Sequence, residues 1–310
     1  MSVMDSSAIG SSSDAKSAQA GLWAAFDKTR LCHLIMEQIP RFAARPYIHN
    51  GTALAAALRY GIDHSLKGDF CWSLCFEPDF LRALIREGFL PICSELGGGT
   101  GLFVLLPKLH EQRCVLHFDN LHVSRRVHRR IRHGDYTLTA NDSFCDVMAG
   151  CVAQHGVSWL YPPLRKALQQ LADSPNGRCT ETSDNPQPRM CCFALWHGGE
   201  LVAGDFGAVV GSVYTSFSGF FTVSGAGCVQ IVLTAKLLQA AGFAWWDMGG
   251  EHAYKLGYGA TLLPRASFLV EFREQRCRPN GLDTLLASHV SERFSGAELM
   301  AIDVLCAPRR

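Results

Sequence analysis

The chain has 310 residues, of which 48% are hydrophobic and 18% are charged, and its formal net charge is +1. This composition excludes an intrinsically disordered chain, which would have few apolar residues and a high net charge. The near-zero net charge also excludes a protein that binds nucleic acid through its overall charge. Any attraction to a polyanion must therefore come from a local group of basic side chains.

The N-terminal 20 residues are rich in Ser and Ala and lack the apolar core of a secretory signal. We therefore expect a disordered tail over residues 1–20 and a cytoplasmic protein. The 13 cysteines are an odd number and form no CxxC pair, which favours reduced thiols in that compartment. Cys71 and Cys75 have no matching His or Cys pair at ligand spacing, so no metal site is expected.

Residues 21–112 predict a small N-terminal α/β domain built from short elements. An amphipathic helix is predicted over 22–39, and an Ala-rich helix over Thr52–Tyr60. A further helix is predicted in EPDFLRALIREGF (77–89), because its proline suits a first helical turn and its glycine suits a helix end.

A strongly basic helix is predicted next, in SRRVHRRIRHG (124–134). Ser124 is its predicted N-cap, and Val127 and Ile131 form a narrow apolar stripe. Around this stripe the helix carries five arginines, namely Arg125, Arg126, Arg129, Arg130 and Arg132. No acidic residue lies within the helix to relieve their repulsion. The helix therefore either faces solvent with carboxylate partners from elsewhere or contacts a phosphate backbone.

One strand and two helices are predicted between this basic helix and the main β region. The strand is YTLTA (136–140), and the first helix begins at an Asp142 cap and ends at Gly156. The second helix lies in PLRKALQQL, where leucines recur at helical spacing. Residues 172–189 contain three prolines and many turn formers, which predicts an exposed insertion.

The stretch from Leu201 to Phe268 organises the rest of the chain. Its Gly-punctuated β pattern forms a predicted hairpin with CCFALW around His197-Gly198-Gly199. No charged side chain occurs between Phe206 and Ala235, yet glycines interrupt the run before it reaches membrane-spanning length. The pattern therefore predicts a buried sheet with one packed helix, CVQIVLTAKLLQAAG.

Shorter elements are predicted to complete the chain. FAWWDMGG (243–250) predicts a short strand, and SFLVEF (267–272) predicts the last strand. Residues 278–310 are predicted to form a C-terminal tail with one weak helix.

Taken in order, these segments resemble the leucyl/phenylalanyl-tRNA–protein transferase family over about 70–280. The strongest match is LHVSRRVHRRIRHGDYTLTANDSFCDVMAGCVAQHGVSWL (121–160), where the family has L-H-[IV]-S-R-S, a basic helix, a strand and a second helix. It resumes at LVAGDFG, where the family has L-V-G-G-x-Y-G, and at WWDMGG, where the family has I-D-C-Q.

The resemblance implies an α+β fold and an aminoacyltransferase activity. Residues 113–277 would form a mixed sheet with packed helices of the acyl-CoA N-acyltransferase-like (GNAT) type. The implied reaction moves a Leu- or Phe-like amino acid from aminoacyl-tRNA to the N-terminal amine of a protein, as a step toward N-degron protein degradation. The implied partners are aminoacyl-tRNA and a protein or peptide with a free N-terminus, with no cofactor, metal or membrane.

The resemblance also implies roles for individual residues. The basic helix would face the acceptor arm of tRNA, and Trp159 would stack on the terminal adenosine. Asp247 would orient or accept the proton of the attacking amine, and Ser218 would also be catalytic. The pocket for the aminoacyl group would be formed by Asp205, Phe206, Tyr214, Phe217, Ile231 and Trp246.

Three departures from the family pattern leave two functional hypotheses open. The family Glu and Gln are replaced by Phe217 and Gly249, and an apolar pocket residue is replaced by Asp205. In the first hypothesis the chain is a divergent transferase, and Asp205 shifts its preference toward a polar or cationic aminoacyl group. In the second, the scaffold has lost this chemistry and binds tRNA, peptide N-termini or acyl-CoA.

Overall fold

A computed structural model of the chain describes residues 28–49, 70–174, 187–289 and 293–301. The predicted α+β architecture is confirmed, since helices pack on a mixed β-sheet. The predicted Thr52–Tyr60 helix and the 1–20 tail lie outside the described residues. None of the described helices combines the length and the apolar character needed to cross a membrane.

The N-terminal part contains three helices and a small antiparallel hairpin among its described residues. The helices are α1 (Lys28–Gln38), α2 (Pro40–Ala43) and α3 (Pro78–Arg86), and the hairpin strands are β1 (Cys93–Leu96) and β2 (Leu102–Leu105). Trp72 is fully buried in a separate apolar cluster beneath α1 and α2, where its ring meets Phe42 edge-on. Whether residues 21–112 form a domain of their own stays a prediction.

The remaining elements build the main sheet and the helices on its two faces. The strands are β3 (Gln112–Leu116), β4 (Tyr136–Ala140), β5 (Arg189–His197), β6 (Glu200–Val210), β7 (Val213–Phe221), β8 (Trp245–Asp247), β9 (Thr261–Pro264) and β10 (Phe294–Ser295). The helices are α4 (Arg125–His133), α5 (Phe144–His155), α6 (Pro162–Asp173), α7 (Ala226–Ala240), α8 (Ala253–Leu256), α9 (Arg265–Gln275), α10 (Leu282–Ser288) and α11 (Gly296–Ala301).

The described strands of the sheet follow the order β10-β4-β5-β6-β7-β8-β3-β9. Neighbours are antiparallel except β7 and β8, which are parallel because α7 crosses between them. The predicted hairpin at Gly198-Gly199 is confirmed, and both glycines have positive φ, as a tight hairpin turn requires.

Alternating side chains divide the interior into two cores, one on each face of the sheet. Cys192, Val213 and Trp245 point to a core that includes α3, α5, α6 and α9. Their direct neighbours Cys191, Tyr214 and Trp246 point to a second core that includes α4, α7, α10 and α11. The lack of charge in this part of the chain follows from burial on both faces.

The predicted strand SFLVEF is wrong, since these residues lie in helix α9. The alternation of Phe268, Val270 and Phe272 suggested a strand, but the Val270 side chain is 69% exposed. Phe268 and Phe272 lie one helical turn apart and both pack against Trp245. Aromatic residues at i and i+4 satisfy helical spacing as well as strand alternation.

The prediction that Asp142 caps helix α5 is also wrong. Ser143 is the residue that precedes the helix, whereas the Asp142 carboxylate accepts a 2.7 Å hydrogen bond from Thr139 Oγ1. The predicted end of α5 at Gly156 is confirmed. The predicted Ser124 cap of α4 is also confirmed, since Ser124 Oγ accepts a hydrogen bond from the Val127 amide at 3.3 Å.

The C-terminal segment is more structured than the predicted tail with one weak helix. Helix α10, strand β10 and helix α11 add Leu282, Phe294 and Leu299 to the second core. The predicted insertion over 172–189 is too long at both ends, because α6 includes Asp173 and β5 begins at Arg189. Residues 175–186 lie outside the described part.

A buried ion pair joins strand β3 to strand β8. Arg113 and Asp247 are both fully buried, and their side chains make a two-pronged contact, Nε to Oδ1 at 2.8 Å and Nη2 to Oδ2 at 2.8 Å. Arg113 Nη2 also donates to the Gly88 carbonyl at 2.8 Å, and the guanidinium lies 4.5 Å from the Phe268 ring centroid. The pair thus connects the sheet to α9 and to the end of α3.

We predict that Asp247→Ala destabilises the fold by about 3 to 5 kcal/mol, because it leaves the Arg113 guanidinium buried without its counter-ion. Chemical denaturation measures this change. Asp79→Ala is the matched control: its carboxylate is 97% exposed and 3.9 Å from Arg82, so it should cost less than about 1 kcal/mol. Equal losses in the two variants would show that the buried pair does not hold the fold.

Candidate functional site

The main cavity opens where strands β7 and β8 separate. Their pairing covers Val213–Thr215 on β7 and Trp245–Asp247 on β8, whereas β7 continues to Phe221. The gap that results is lined from both faces of the sheet and has a volume of about 660 Å³. A sheet that parts in this way exposes main-chain groups and side chains of several strands to one ligand.

A β-bulge shapes the wall of the cavity on strand β7. Phe206 pairs with Ser218 and Gly207 with Ser216, so Phe217 is the extra residue and faces the cavity. Gly207 permits this close approach, since a Cβ there would lie 1.9 Å from the Thr215 carbonyl oxygen. The bulge therefore depends on glycine at this position.

Aromatic rings form much of the cavity wall. Trp159, Phe217 and Trp246 contact the cavity, and Tyr254 and Tyr258 close it from the segment after β8. Apolar walls of this kind bind organic side chains by burial, and a few polar groups then set the orientation of the ligand.

Asp205 supplies the acidic group of this cavity. Its Oδ1 accepts hydrogen bonds from Tyr214 Oη at 2.5 Å and from Ser216 Oγ at 2.6 Å. Trp246 Nε1 donates to Ser216 Oγ at 3.0 Å, which fixes the hydroxyl group. Burial raises the pKa of Asp205 to about 7, although the two hydroxyl donors and the Lys255 charge act to lower it. Near neutral pH the carboxyl group therefore exists in both protonation states.

Lys255 brings a buried amine to the same cavity. Its Nζ donates to the Met248 carbonyl at 2.5 Å and to the Gly250 carbonyl at 2.8 Å. Burial lowers the pKa of Lys255, while the neighbouring Cys114 thiol and Asp247 act to raise it. The ammonium group thus holds the loop after β8 in place.

The structure brings together six of the nine residues predicted for catalysis, the pocket and adenosine stacking. The residues that line the cavity are Asp205, Phe217, Ser218, Ile231, Trp246 and Trp159. Tyr214 is fully buried behind Asp205 and acts on it through the hydrogen bond. Phe206 is also fully buried and supports the rings of Trp159 and Phe217 from behind.

Asp247, for which a catalytic role is predicted, is fully buried and lies apart from Asp205. Strand alternation directs Trp246 into the cavity and directs Asp247 to the opposite face, where Arg113 holds it. Asp247 Oδ1 also accepts from the Gly249 amide at 2.9 Å. The carboxylate is thus occupied and does not line the cavity, so its placement suits a positioning role.

The basic helix α4 lies beside the cavity. Arg126 and Arg130 line an adjoining hollow of about 470 Å³, which shares Gly225, Tyr254 and Tyr258 with the main cavity. Arg130 Nη1 donates to the Ser224 carbonyl at 2.6 Å and passes over Gly225, where a Cβ would clash with the guanidinium. This hollow also contains the N-terminal end of α7, where free amides and the helix dipole favour an anion.

The five arginines do not all face the same hollow. Arg125, Arg129 and Arg132 line a separate shallow hollow of about 370 Å³ on the other side of α4, together with His128 and His133. A long polyanion that crosses the helix can contact both groups, whereas a small ligand in the adjoining hollow contacts only Arg126 and Arg130 among the five.

Several cavity residues were not predicted from the sequence. His252, Tyr254, Lys255 and Tyr258 line the cavity from EHAYKLGYG, the segment that follows the strand carrying Trp246. The position of this segment after a strand end was a usable signal, because such loops often carry functional groups. Gln230 also lines the cavity. It is buried on α7, where its Nε2 donates to Thr234 Oγ1 at 3.0 Å. In the sequence its position in the apolar helix pattern is that of a core residue.

Comparison with known proteins identifies the family to which this chain belongs. Residues 115–273 match the family model of the leucyl/phenylalanyl-tRNA protein transferases, which covers half of the chain. The chain belongs to this family.

Relatives extend the match beyond the family model. A leucyl/phenylalanyl-tRNA–protein transferase of Stutzerimonas stutzeri is 29% identical over 67% of this chain and 84% of its own. One from Nitratidesulfovibrio vulgaris is 30% identical over 66% of this chain and 80% of its own. Among solved structures, the C-terminal domain of a putative lysylphosphatidylglycerol synthetase from Agrobacterium fabrum aligns over 67% of this chain and 70% of its own, at 12% identity and a TM-score of 0.36. This last likeness is too weak to support an argument.

We predict that the Asp205 carboxyl group titrates at about pH 7. In Ser216→Ala the pKa should rise further, because the carboxylate loses a donor that stabilises its charged form. Carbon NMR of labelled aspartate side chains measures both values. Ser94→Ala, on strand β1, is the control and should leave the titration unchanged. A titration of Asp205 well below pH 5 would contradict the burial described above.

Proposed function

We propose that this chain transfers an aminoacyl group from the 3′ end of a tRNA to the N-terminal amine of a protein. The observation that carries the proposal is the junction of an aromatic cavity with a basic helix in a member of this family. The cavity has the size to hold an aminoacyl group with its terminal nucleoside, and the adjoining hollow has the charge to hold the phosphates behind it.

The terminal adenosine of the tRNA stacks near Trp159 at the rim of the cavity. A half-buried indole suits a base that is bound without reading its sequence. The phosphates that follow lie against Arg126, Arg130 and the N-terminal end of α7. The acceptor arm then crosses α4, where Arg125, Arg129 and Arg132 add further contacts.

The reaction needs alignment more than activation, because the ester of aminoacyl-tRNA is already reactive. The amine attacks the ester carbonyl, the new C–N bond forms, the C–O bond to the 3′ oxygen breaks, and the amine proton ends on that oxygen. Alignment of the two reactants can remove about 7 to 11 kcal/mol of the barrier. Ser218 lies in the cavity, where its hydroxyl can relay this proton.

Asp247 acts by position in this proposal. Its ion pair with Arg113 and its bond to the Gly249 amide hold the end of β8, and this strand presents Trp246 to the cavity. Because the family Glu and Gln are replaced by Phe217 and Gly249, the site depends on such alignment and turns over more slowly than a site with both groups.

The fold and the cellular role extend the same proposal. Residues 113–277 form a GNAT-like catalytic domain, which the parallel β7–β8 pair and the cavity at its parting support. The reaction takes place in the cytoplasm and marks its protein product for N-degron degradation.

One observation favours a second function, the binding or use of acyl-CoA. Gly225, Ala226 and Gly227 begin helix α7 at the border of the two hollows, where a pyrophosphate can meet the helix N-terminus. In this alternative the chain keeps the scaffold without aminoacyl transfer. Acyl-CoA that binds in the absence of aminoacyl-tRNA binding would replace the first proposal.

We expect the purified chain to transfer a labelled aminoacyl group from tRNA to a peptide with a free N-terminus. The same peptide with an acetylated N-terminus is the matched control and should accept nothing, because its nitrogen is no longer a nucleophile. Product is measured by mass spectrometry of the peptide. Absence of transfer with every aminoacyl-tRNA tested, from a chain that is folded, would contradict the proposal.

We further predict that Arg126→Glu weakens tRNA binding about ten-fold or more and lowers the slope of log affinity against log salt by about one, since one phosphate contact is lost. Filter binding at several salt concentrations measures both effects. Arg273→Glu serves as the control, because it reverses the charge of an exposed residue on α9 that lines neither the main cavity nor the two hollows beside α4. Equal effects of the two variants would remove α4 from the tRNA site.

A further inference from the structure

The cavity contains a single acid among the described residues that line it, and that acid is only partly satisfied. Asp205 Oδ1 accepts two hydroxyl donors, but no hydrogen bond is made to Oδ2 within the described part of the chain. Building on the aminoacyl transfer proposed above, we propose that the aminoacyl group taken by this cavity carries a cationic side chain, an ammonium or a guanidinium, which pairs with Oδ2 of Asp205.

The surroundings of Oδ2 leave room for such a partner. Gly219 is the residue opposite Asp205 on strand β7. A Cβ at Gly219 would lie 3.2 Å from Oδ2, so any larger residue there would crowd this oxygen. Glycine at this position keeps the approach to the carboxylate open from the cavity.

The cost of burial argues for a cationic ligand. An aliphatic side chain packed against Asp205 would exclude water from the carboxyl group and offer no hydrogen bond in return. An ammonium or guanidinium would instead supply a charge-assisted hydrogen bond, which is about twice as strong as a neutral one. The acid in this largely aromatic cavity therefore selects for positive charge and against Leu or Phe.

The walls of the cavity suit the rest of a cationic side chain. Lysine and arginine have long apolar stems that pack on hydrophobic surfaces, with the charge at the tip. Phe217 and Ile231 provide such surfaces, and the Trp246 ring lies beside Ser216 and Asp205.

The basic groups that already line the cavity do not occupy Oδ2. Lys255 directs its Nζ to two main-chain carbonyls, and the described residues show no ion pair between it and Asp205. His155 Nε2 contacts the Gly219 carbonyl at 2.8 Å. Burial and the Lys255 charge lower the pKa of His252, which favours the neutral form of its ring.

Binding of a cation should depend on pH, because only the ionised carboxylate pairs with it. The free carboxyl group has a pKa of about 7, and a bound cation lowers it. As pH falls below 7, affinity for a cationic ligand decreases by up to about ten-fold per pH unit. The other ionisable groups that influence or surround Asp205 are Tyr214 on β7, Cys151 and His155 on α5, Cys191 and Cys192 on β5, His252 after β8, and Tyr254 and Lys255 on α8.

The test uses the full chain and non-hydrolysable adenosine analogues that carry arginine, lysine, leucine or phenylalanine in amide linkage at the 3′ position. We expect the arginyl or lysyl analogue to bind about 30-fold or more tightly than the leucyl analogue at pH 8, the factor expected for a buried charge pair. Calorimetry measures the affinities. Asp205→Asn, which keeps the shape of the side chain, should abolish this difference, and Asp205→Leu should favour the leucyl analogue.

A second measurement separates recognition from catalysis. One tRNA is charged with each of the same four amino acids, and transfer to a free peptide is followed for the wild type and Asp205→Asn. Recognition by Asp205 predicts a large rise in KM for the arginyl or lysyl group alone. An equal fall in kcat for all four groups would show that Asp205 acts as a general base, and this would overturn the proposal.

Different results would contradict the aminoacyl transfer and the cation site. If no transfer occurs but the cationic analogue binds more tightly and the preference depends on Asp205, the proposed enzymatic function is wrong and the cation site stands. If transfer occurs and the leucyl and phenylalanyl analogues bind as tightly as the cationic ones from pH 6 to pH 8, the cation site is wrong and the transferase remains.

Discussion

The buried pair of Arg113 and Asp247 is the interaction on which the arrangement of this protein depends. It joins β3 to β8 on one face of the sheet and leaves the opposite face of β8 to present Trp246 to the cavity. The strand beside it, β7, diverges after Thr215, and that divergence creates the cavity. Loss of either charge would leave the other buried without a counter-ion, at a cost of several kcal/mol.

The cavity combines aromatic walls with several polar groups, and hydrogen bonds hold both its acid and its amine in place. Tyr214 and Ser216 fix one oxygen of Asp205, Trp246 fixes Ser216, and two carbonyls fix Lys255. Groups that are fixed before a ligand arrives lose little freedom when it binds. This preorganisation supports the proposed aminoacyl transfer, in which alignment of the two reactants lowers the barrier.

Much of the architecture was readable from local pattern. The basic helix, its serine cap, the Gly-Gly hairpin and the charge-free strands occur as predicted, since each rests on spacing and turn chemistry within a few residues. The last predicted strand failed because Phe268 and Phe272 fit both a strand and a helix, and only contact with Trp245 decides between them. The C-terminal segment has more structure than the predicted tail with one weak helix, because Leu282, Phe294 and Leu299 pack in the second core.

The sequence by itself determined the family, the position of the cationic helix and the identity of the unusual acid Asp205. These features depend on residue type and order along the chain. Only the tertiary structure decided which carboxylate meets the cavity. Asp205 and Asp247 both lie on buried strands. Because side chains alternate along a strand, the register of each strand decides which face its acid takes. Asp205 faces the cavity, where Ser216 donates to it, and Asp247 faces away from the cavity and pairs with Arg113. Such pairing joins residues 134 positions apart, and no local pattern encodes it.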